Sequence, residues 1–147
     1  MKKAALFLVA ICLVSSIFAQ QNKSAMNYDK MLYQTLSAEQ IAKMEKDAPS
    51  KLADSNFDLT HRCTVSSELP ANYIMANDIC SYVSPDKTCD IADIVGNKRI
   101  NCFHYSLPSD PTRYTVCPAG NTGYYVIILP QEEFVKQKRE YMKKMGY

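Results

Sequence analysis

Five of the six cysteines in this chain lie between positions 63 and 117, and their redox state limits the folds open to it. In a reducing compartment they would be buried thiols or metal ligands; in an oxidising one they would be cross-links. The choice rests on the first twenty residues.

The chain opens MKKAALFLVAICLVSSIFAQ. Lys2 and Lys3 form a positive start, Ala4 to Val14 an apolar run, and Ile17 and Ala19 occupy the positions a signal peptidase reads. This order predicts a secretory leader over 1–19, cleaved near Ala19, and export to the periplasm or the extracellular space. The run is shorter than the about 20 apolar residues a membrane span requires, so no transmembrane anchor is expected. Cys12 follows the bulky Ile11, which argues against lipidation there.

Cleavage also changes the charge balance. The seventeen basic residues include Lys2 and Lys3, so the remainder carries fifteen against fifteen acidic ones. Binding to nucleic acid relies on a basic surplus that displaces counterions, and none is left. Residues 20–27 read as a flexible lead-in, and 28–147 as a single small disulfide-stabilised domain.

Met31, Leu32 and Leu36 recur at helical spacing. Ser37 and Gln40 have the spacing of a capping box ahead of Ile41 and Met44. Pro49 suits a first helical turn, so a short helix over 49–55 is expected. From Leu59 to Val65 apolar and polar residues alternate, which predicts a strand with His61 and Cys63 on one face. Tyr73–Met75 and Ile79–Val83 read as further strands. Ile91 to Val95 reads either as a helical turn capped by Asp90 or as the approach to a hairpin at Gly96-Asn97.

Arg99–Tyr105 and Thr112–Cys117 flank a turn with two prolines and read as a hairpin. Its symmetric register puts Phe103, Tyr105, Tyr114 and Val116 on one face. Tyr124 to Leu129 is apolar at alternate and intervening positions, the pattern of a strand buried on both sides. Pro130 starts a C-terminal helix with Glu132 and Glu133 at its positive end and Lys143 and Lys144 at its negative end. Its expected buried stripe is Phe134, Val135, Tyr141, Met142 and Met145, with Gly146 just past its end. The fold class is therefore α+β: N-terminal helices, an antiparallel β-meander of about four to six strands, and a C-terminal helix packed on the sheet.

With Cys12 removed, five cysteines permit two bridges and one remaining thiol. The hairpin register sets Cys102 opposite Cys117, at the separation a cross-strand bridge needs. Cys80 and Cys89 close a short loop around Pro85. Cys63 is then the free thiol. A competing arrangement pairs Cys63 with Cys102 and His61 with His104 on neighbouring strands, collecting the ligand set of a tetrahedral zinc site. The spacings H-x-C and C-x-H lack the usual C-x2-C clip, so bridging is preferred and no cofactor is expected.

No G-x-S-x-G elbow, H-E-x-x-H or glycine-rich phosphate loop is present, and only four glycines exist to build one. Asp90 and Asp93 are spaced to share a helical turn as paired carboxylates, with capping as the simpler role for Asp90. Ten tyrosines without a tryptophan suggest a recognition surface, with Tyr124 as its candidate residue. The expected function is a non-catalytic, exported binding domain whose partner is a protein or a glycan. Behind it stand a small zinc-binding envelope protein and, third, a hydrolase without a known signature.

Overall fold

The computed structural model describes residues 28–147; the leader over 1–19 and the lead-in over 20–27 lie outside the described residues. The described residues begin with three helices, the first two set by side-chain caps. Asp29 accepts the Met31 N–H at 2.9 Å and starts α1 (Lys30–Thr35). Ser37 and Gln40 make the expected reciprocal box at the head of α2 (Ala38–Asp47), with bonds of 3.2 and 2.8 Å.

Pro49 opens α3 (Pro49–His61), which is longer than the short helix the proline suggested. Leu52, Ala53 and Phe57 are buried along it, and the Arg62 N–H still closes onto the Asp58 carbonyl at 3.0 Å. The alternation from Leu59 to Val65 is thus split. Leu59 and His61 belong to the helix, and the strand begins only at Cys63. Helical bonds to 55–58 were available locally, whereas a strand at 59–62 needs a partner further along.

Four strands form one sheet: β1 (Cys63–Ser66), β2 (Tyr73–Met75), β3 (Tyr114–Pro118) and β4 (Tyr125–Ile128). Their order is β1-β4-β3-β2. β4 runs antiparallel to both neighbours, pairing Cys63 with Ile128 on one side and Thr115 with Ile128 on the other. β2 lies parallel to β3, with Tyr73 opposite Tyr114. The sheet is therefore mixed, not the expected antiparallel meander. The connection from β2 to β3 is long enough to carry two 3-10 turns and α4 (Ile91–Asn97), and such a crossover allows parallel pairing. The fold remains α+β.

The expected hairpin at 99–117 does not form. Asn101 accepts the Phe103 N–H at 3.2 Å and turns Cys102–His104 into a 3-10 segment. Tyr105 makes an isolated bridge with Val83, and Phe103 is exposed. Asp110 takes the N–H groups of Thr112 and Arg113, at 3.0 and 2.8 Å, so β3 starts from its own turn. Ile79–Tyr82 is likewise a 3-10 turn, capped by Asp78, rather than a strand.

The central strand does match its sequence. Val126 and Ile128 are fully buried on one face and Ile127 is buried on the other. Pro130 caps α5 (Gln131–Lys144). The helix closes with the Gly146 N–H on the Lys143 carbonyl and the Tyr147 N–H on the Met142 carbonyl, a Schellman ending. Gly146 has φ +83°, a conformation that favours glycine. This helix packs chiefly on α3 rather than on the sheet. Phe57 meets Phe134 and Tyr141 at centroid distances of 5.6 and 5.0 Å. Of the predicted stripe only Phe134 is buried; Val135 is exposed.

Two clusters make the core. One lies on the sheet face, where Val65, Cys117, Val126 and Ile128 meet Ile79, Ile94 and Ile100. The other gathers Tyr28, Leu32, Ile41, Leu52, Leu59 and Cys102 among the helices, and Cys63 and Leu107 touch both. Among the described residues no helix is long and apolar enough to cross a membrane.

Candidate functional site

Asp90 accepts the Asp93 N–H at 3.1 Å and so nucleates α4, the capping role open to it from its spacing. Its short helix stands across from α1, and the space between them is a cleft of about 410 Å³. Lys30 and Gln34, four residues apart on α1, line one wall. Asp90, Asp93 and Asn97 line another, and His104 and Tyr105 contribute from the segment after Ile100. Met31, Ile94 and Ile100 add the apolar lining.

Several of these polar groups are held in place. Asn97 Nδ2 donates to Asp93 Oδ1 at 2.6 Å, and Asn101 Nδ2 donates to Thr35 Oγ1 at 3.0 Å. Arg99 reaches Asp29 at 2.9 Å, joining the cleft to the cap of α1. Burial would raise the Asp29 carboxyl, but the Met31 N–H and the Arg99 guanidinium outweigh it and hold it below the usual range. Burial raises the Tyr105 phenol, and the charges of Asp90 and Asp93 add to that. Burial and the nearby Lys87 lower the His104 imidazole, with Asp86 opposing, which favours its neutral form.

The predicted site residues are distributed differently. Cys80 and Cys89 are bridged as expected, with Cα atoms 5.3 Å apart, tying the Ile79–Tyr82 turn to the start of α4. Cys102 and Cys117 are not bridged to each other. Cys102 sits in a 3-10 turn and Cys117 pairs with Val126 inside the sheet, so the register that would have joined them is absent. Cys63 is also unbridged.

The alternative zinc set is dispersed. His61 lies on α3, stacked on Phe57 at 4.1 Å with Nδ1 2.6 Å from Thr60 Oγ1. His104 lines the cleft, and Cys63 pairs with Ile128. Among the described residues no three metal-ligating side chains cluster.

Burial disfavours the thiolate form of all three unbridged cysteines. Burial pushes Cys102 and Cys117 up to about 11, and Cys63 higher still. Tyr124, the candidate recognition residue, lies just outside β4. It is half-buried in the turn before β4, packed against the sheet cluster, with its N–H on Thr122 Oγ1 at 3.2 Å.

Sequence reasoning singled out Asp90, Asp93 and His104 but not the cleft that unites them. Its α1 wall is remote in the chain, and the Asp29–Arg99 pair was the signal that could have joined the two. No family model, curated protein or solved structure matches the chain.

Proposed function

We propose that the chain is an exported, non-catalytic binding domain that holds a short polar peptide segment of a partner protein in the cleft between α1 and α4. One observation carries this reading: the lining of the cleft combines the cations Lys30 and Arg99 with the carboxylates Asp90 and Asp93 beside apolar Met31, Ile94 and Ile100. Opposed charges suit a ligand bearing both signs, and peptides supply these more readily than neutral sugars. Much of the lining is already ordered by bonds within the protein, which lowers the ordering cost of binding. Export follows from the leader pattern and gives the Cys80–Cys89 bridge an oxidising setting.

Titrating 15N-labelled protein with an Asp-Lys dipeptide tests the cleft. Saturable amide shifts are expected at Gln34, Asp93, Asn97 and Tyr105. Lys30→Glu should weaken binding about tenfold, the equivalent of 1.4 kcal/mol. A response to N-acetylglucosamine but not to the dipeptide would overturn the peptide reading, and shifts confined to other surfaces would overturn the site. Intact mass of protein recovered from the envelope or medium tests export: residues 1–19 should be missing, and retention of Met1 would sink that part.

A further inference from the structure

Among the described residues three cysteines remain unbridged beside the Cys80–Cys89 link, and their positions in the fold rank the possible pairs. Cys63 and Cys117 share a face of the sheet but stand on strands separated by β4. Cys63 is level with Thr115 through Ile128, and Cys117 lies two residues further along. At about 4.8 Å between strands and roughly 3.4 Å per residue, their Cα atoms are about 12 Å apart. A disulfide needs less than about 7 Å, so that pair is ruled out by register.

Cys63 and Cys102 converge instead on the end of α3. The Cys102 Sγ–H donates to the Asp58 carbonyl at 3.5 Å, and the Arg62 N–H donates to the same oxygen at 3.0 Å. Cys63 is the next residue after Arg62. It packs against the helical cluster to which Cys102 belongs, and α3 contacts the Cys102–His104 turn directly. Consistent with this closeness, Cys102 is the leading charge opposing ionisation of Cys63 after burial itself. Cys117 is paired across from Val126, and its effect on Cys63 ranks below those of Cys102 and Arg62.

We propose that Cys63 and Cys102 are a modification site, oxidised to a second disulfide that ties the α3–β1 junction to the Cys102–His104 turn. The oxidant is a small-molecule or protein disulfide. The Cys102 thiol loses its proton to solvent, and the thiolate attacks the oxidant, expelling one of its sulfurs as a thiol. The Cys63 thiolate then displaces the second sulfur from the mixed disulfide. Two protein thiols are oxidised by two electrons and one disulfide is reduced to two thiols. Because Cys102 is buried and Cys63 half-buried in the finished fold, where burial disfavours both thiolates, the exchange belongs to folding, before β1 closes on β4. Cys117 is left as the odd thiol. The bridge would fix the turn that supplies His104 to the cleft wall, but the proposal does not depend on what the cleft binds.

The test is oxidative refolding of the full reduced chain in mixed reduced and oxidised glutathione, followed by alkylation in denaturant. Trypsin alone leaves Cys63 and Cys80 in one peptide, so Glu-C is added to cut after Glu68. The expected product is peptide 63–68 linked to peptide 100–113, with Cys117 alkylated. Cys117→Ser should keep that linked peptide. Cys63→Ser should abolish it while the Cys80–Cys89 link persists, and a circular dichroism spectrum and thermal transition like the parent's show that this variant folds. Alkylation of both Cys63 and Cys102 beside an intact Cys80–Cys89 link would overturn the proposal, as would a link from either to any other cysteine.

Discussion

Lys138 Nζ lies 2.7 Å from Asp58 Oδ1, and this contact fastens the C-terminal helix to α3. Asp54, one turn earlier, takes the same ammonium at 2.8 Å. Burial would lower the Lys138 pKa, but its hydrogen bonds to the two aspartates prevail and raise it. A raised folded value means that the stabilisation is complete below the ordinary lysine range and is lost as pH climbs through the folded pKa. Lys138→Met should cost about 1 to 2 kcal/mol at pH 7, because two partly covered carboxylates lose their counter-charge. Urea denaturation checks this, and the gap between the variant and the parent should narrow above pH 10. A gap that is constant with pH would show that Lys138 acts by packing over Phe134, not by charge.

Thr115 is buried in the middle of the sheet, and its Oγ1 has no hydrogen-bond partner among the described residues. A hydroxyl stripped of water without a partner is destabilising. Thr115→Val keeps the branched shape that suits a strand and removes the unsatisfied atom. Stability should rise by about 1 kcal/mol in a denaturant titration. A fall would mean that the hydroxyl is satisfied in solution.

The Cys80–Cys89 bridge closes a loop of sequence separation 9. Chain entropy assigns such a loop roughly 2 to 3 kcal/mol. Cys89→Ser should lower the thermal midpoint accordingly. Because the bridge ties the Ile79–Tyr82 turn to the head of α4, amide exchange should quicken first over 91–97.

Tyr28 holds its phenol pKa up at about 12, through burial first and the nearby Glu45 second. The unfolded chain ionises near 10, so this contribution is intact below pH 10 and disappears between pH 10 and 12. Tyr28→Phe should flatten the loss of stability over that interval, read as the denaturant midpoint against pH. An unchanged slope would assign the alkaline transition to other groups.

What could be read from the sequence was what short-range chemistry settles. Ser37 with Gln40, Asp90 as a cap, Gly146 at a helix end and the close Cys80–Cys89 pair all act within ten residues. The both-sided burial of Val126 to Ile128 was legible because a continuous apolar run has one economical use in a sheet. Leu59 to Val65 misled because its apolar positions fit both a strand and the end of a helix begun at Pro49. Nothing local announced that Cys63 pairs with Ile128, and a single side chain, Asn101, was enough to convert an expected strand into a turn. The cleft was hidden for a related reason: its walls come from segments about sixty residues apart, and a period-based reading has no term for their meeting.

The place of β4 sets an order of events. It is the last strand in the chain, yet it lies between β1 and β3, so every antiparallel pairing in the sheet requires residues 125–128. An emerging chain that has reached Pro118 can offer only the short parallel contact of β2 with β3. Contacts this distant along the chain are slow to close. The polypeptide thus carries a built-in delay: its sheet is completed only once residues 125–128 are available, in one late insertion between β1 and β3.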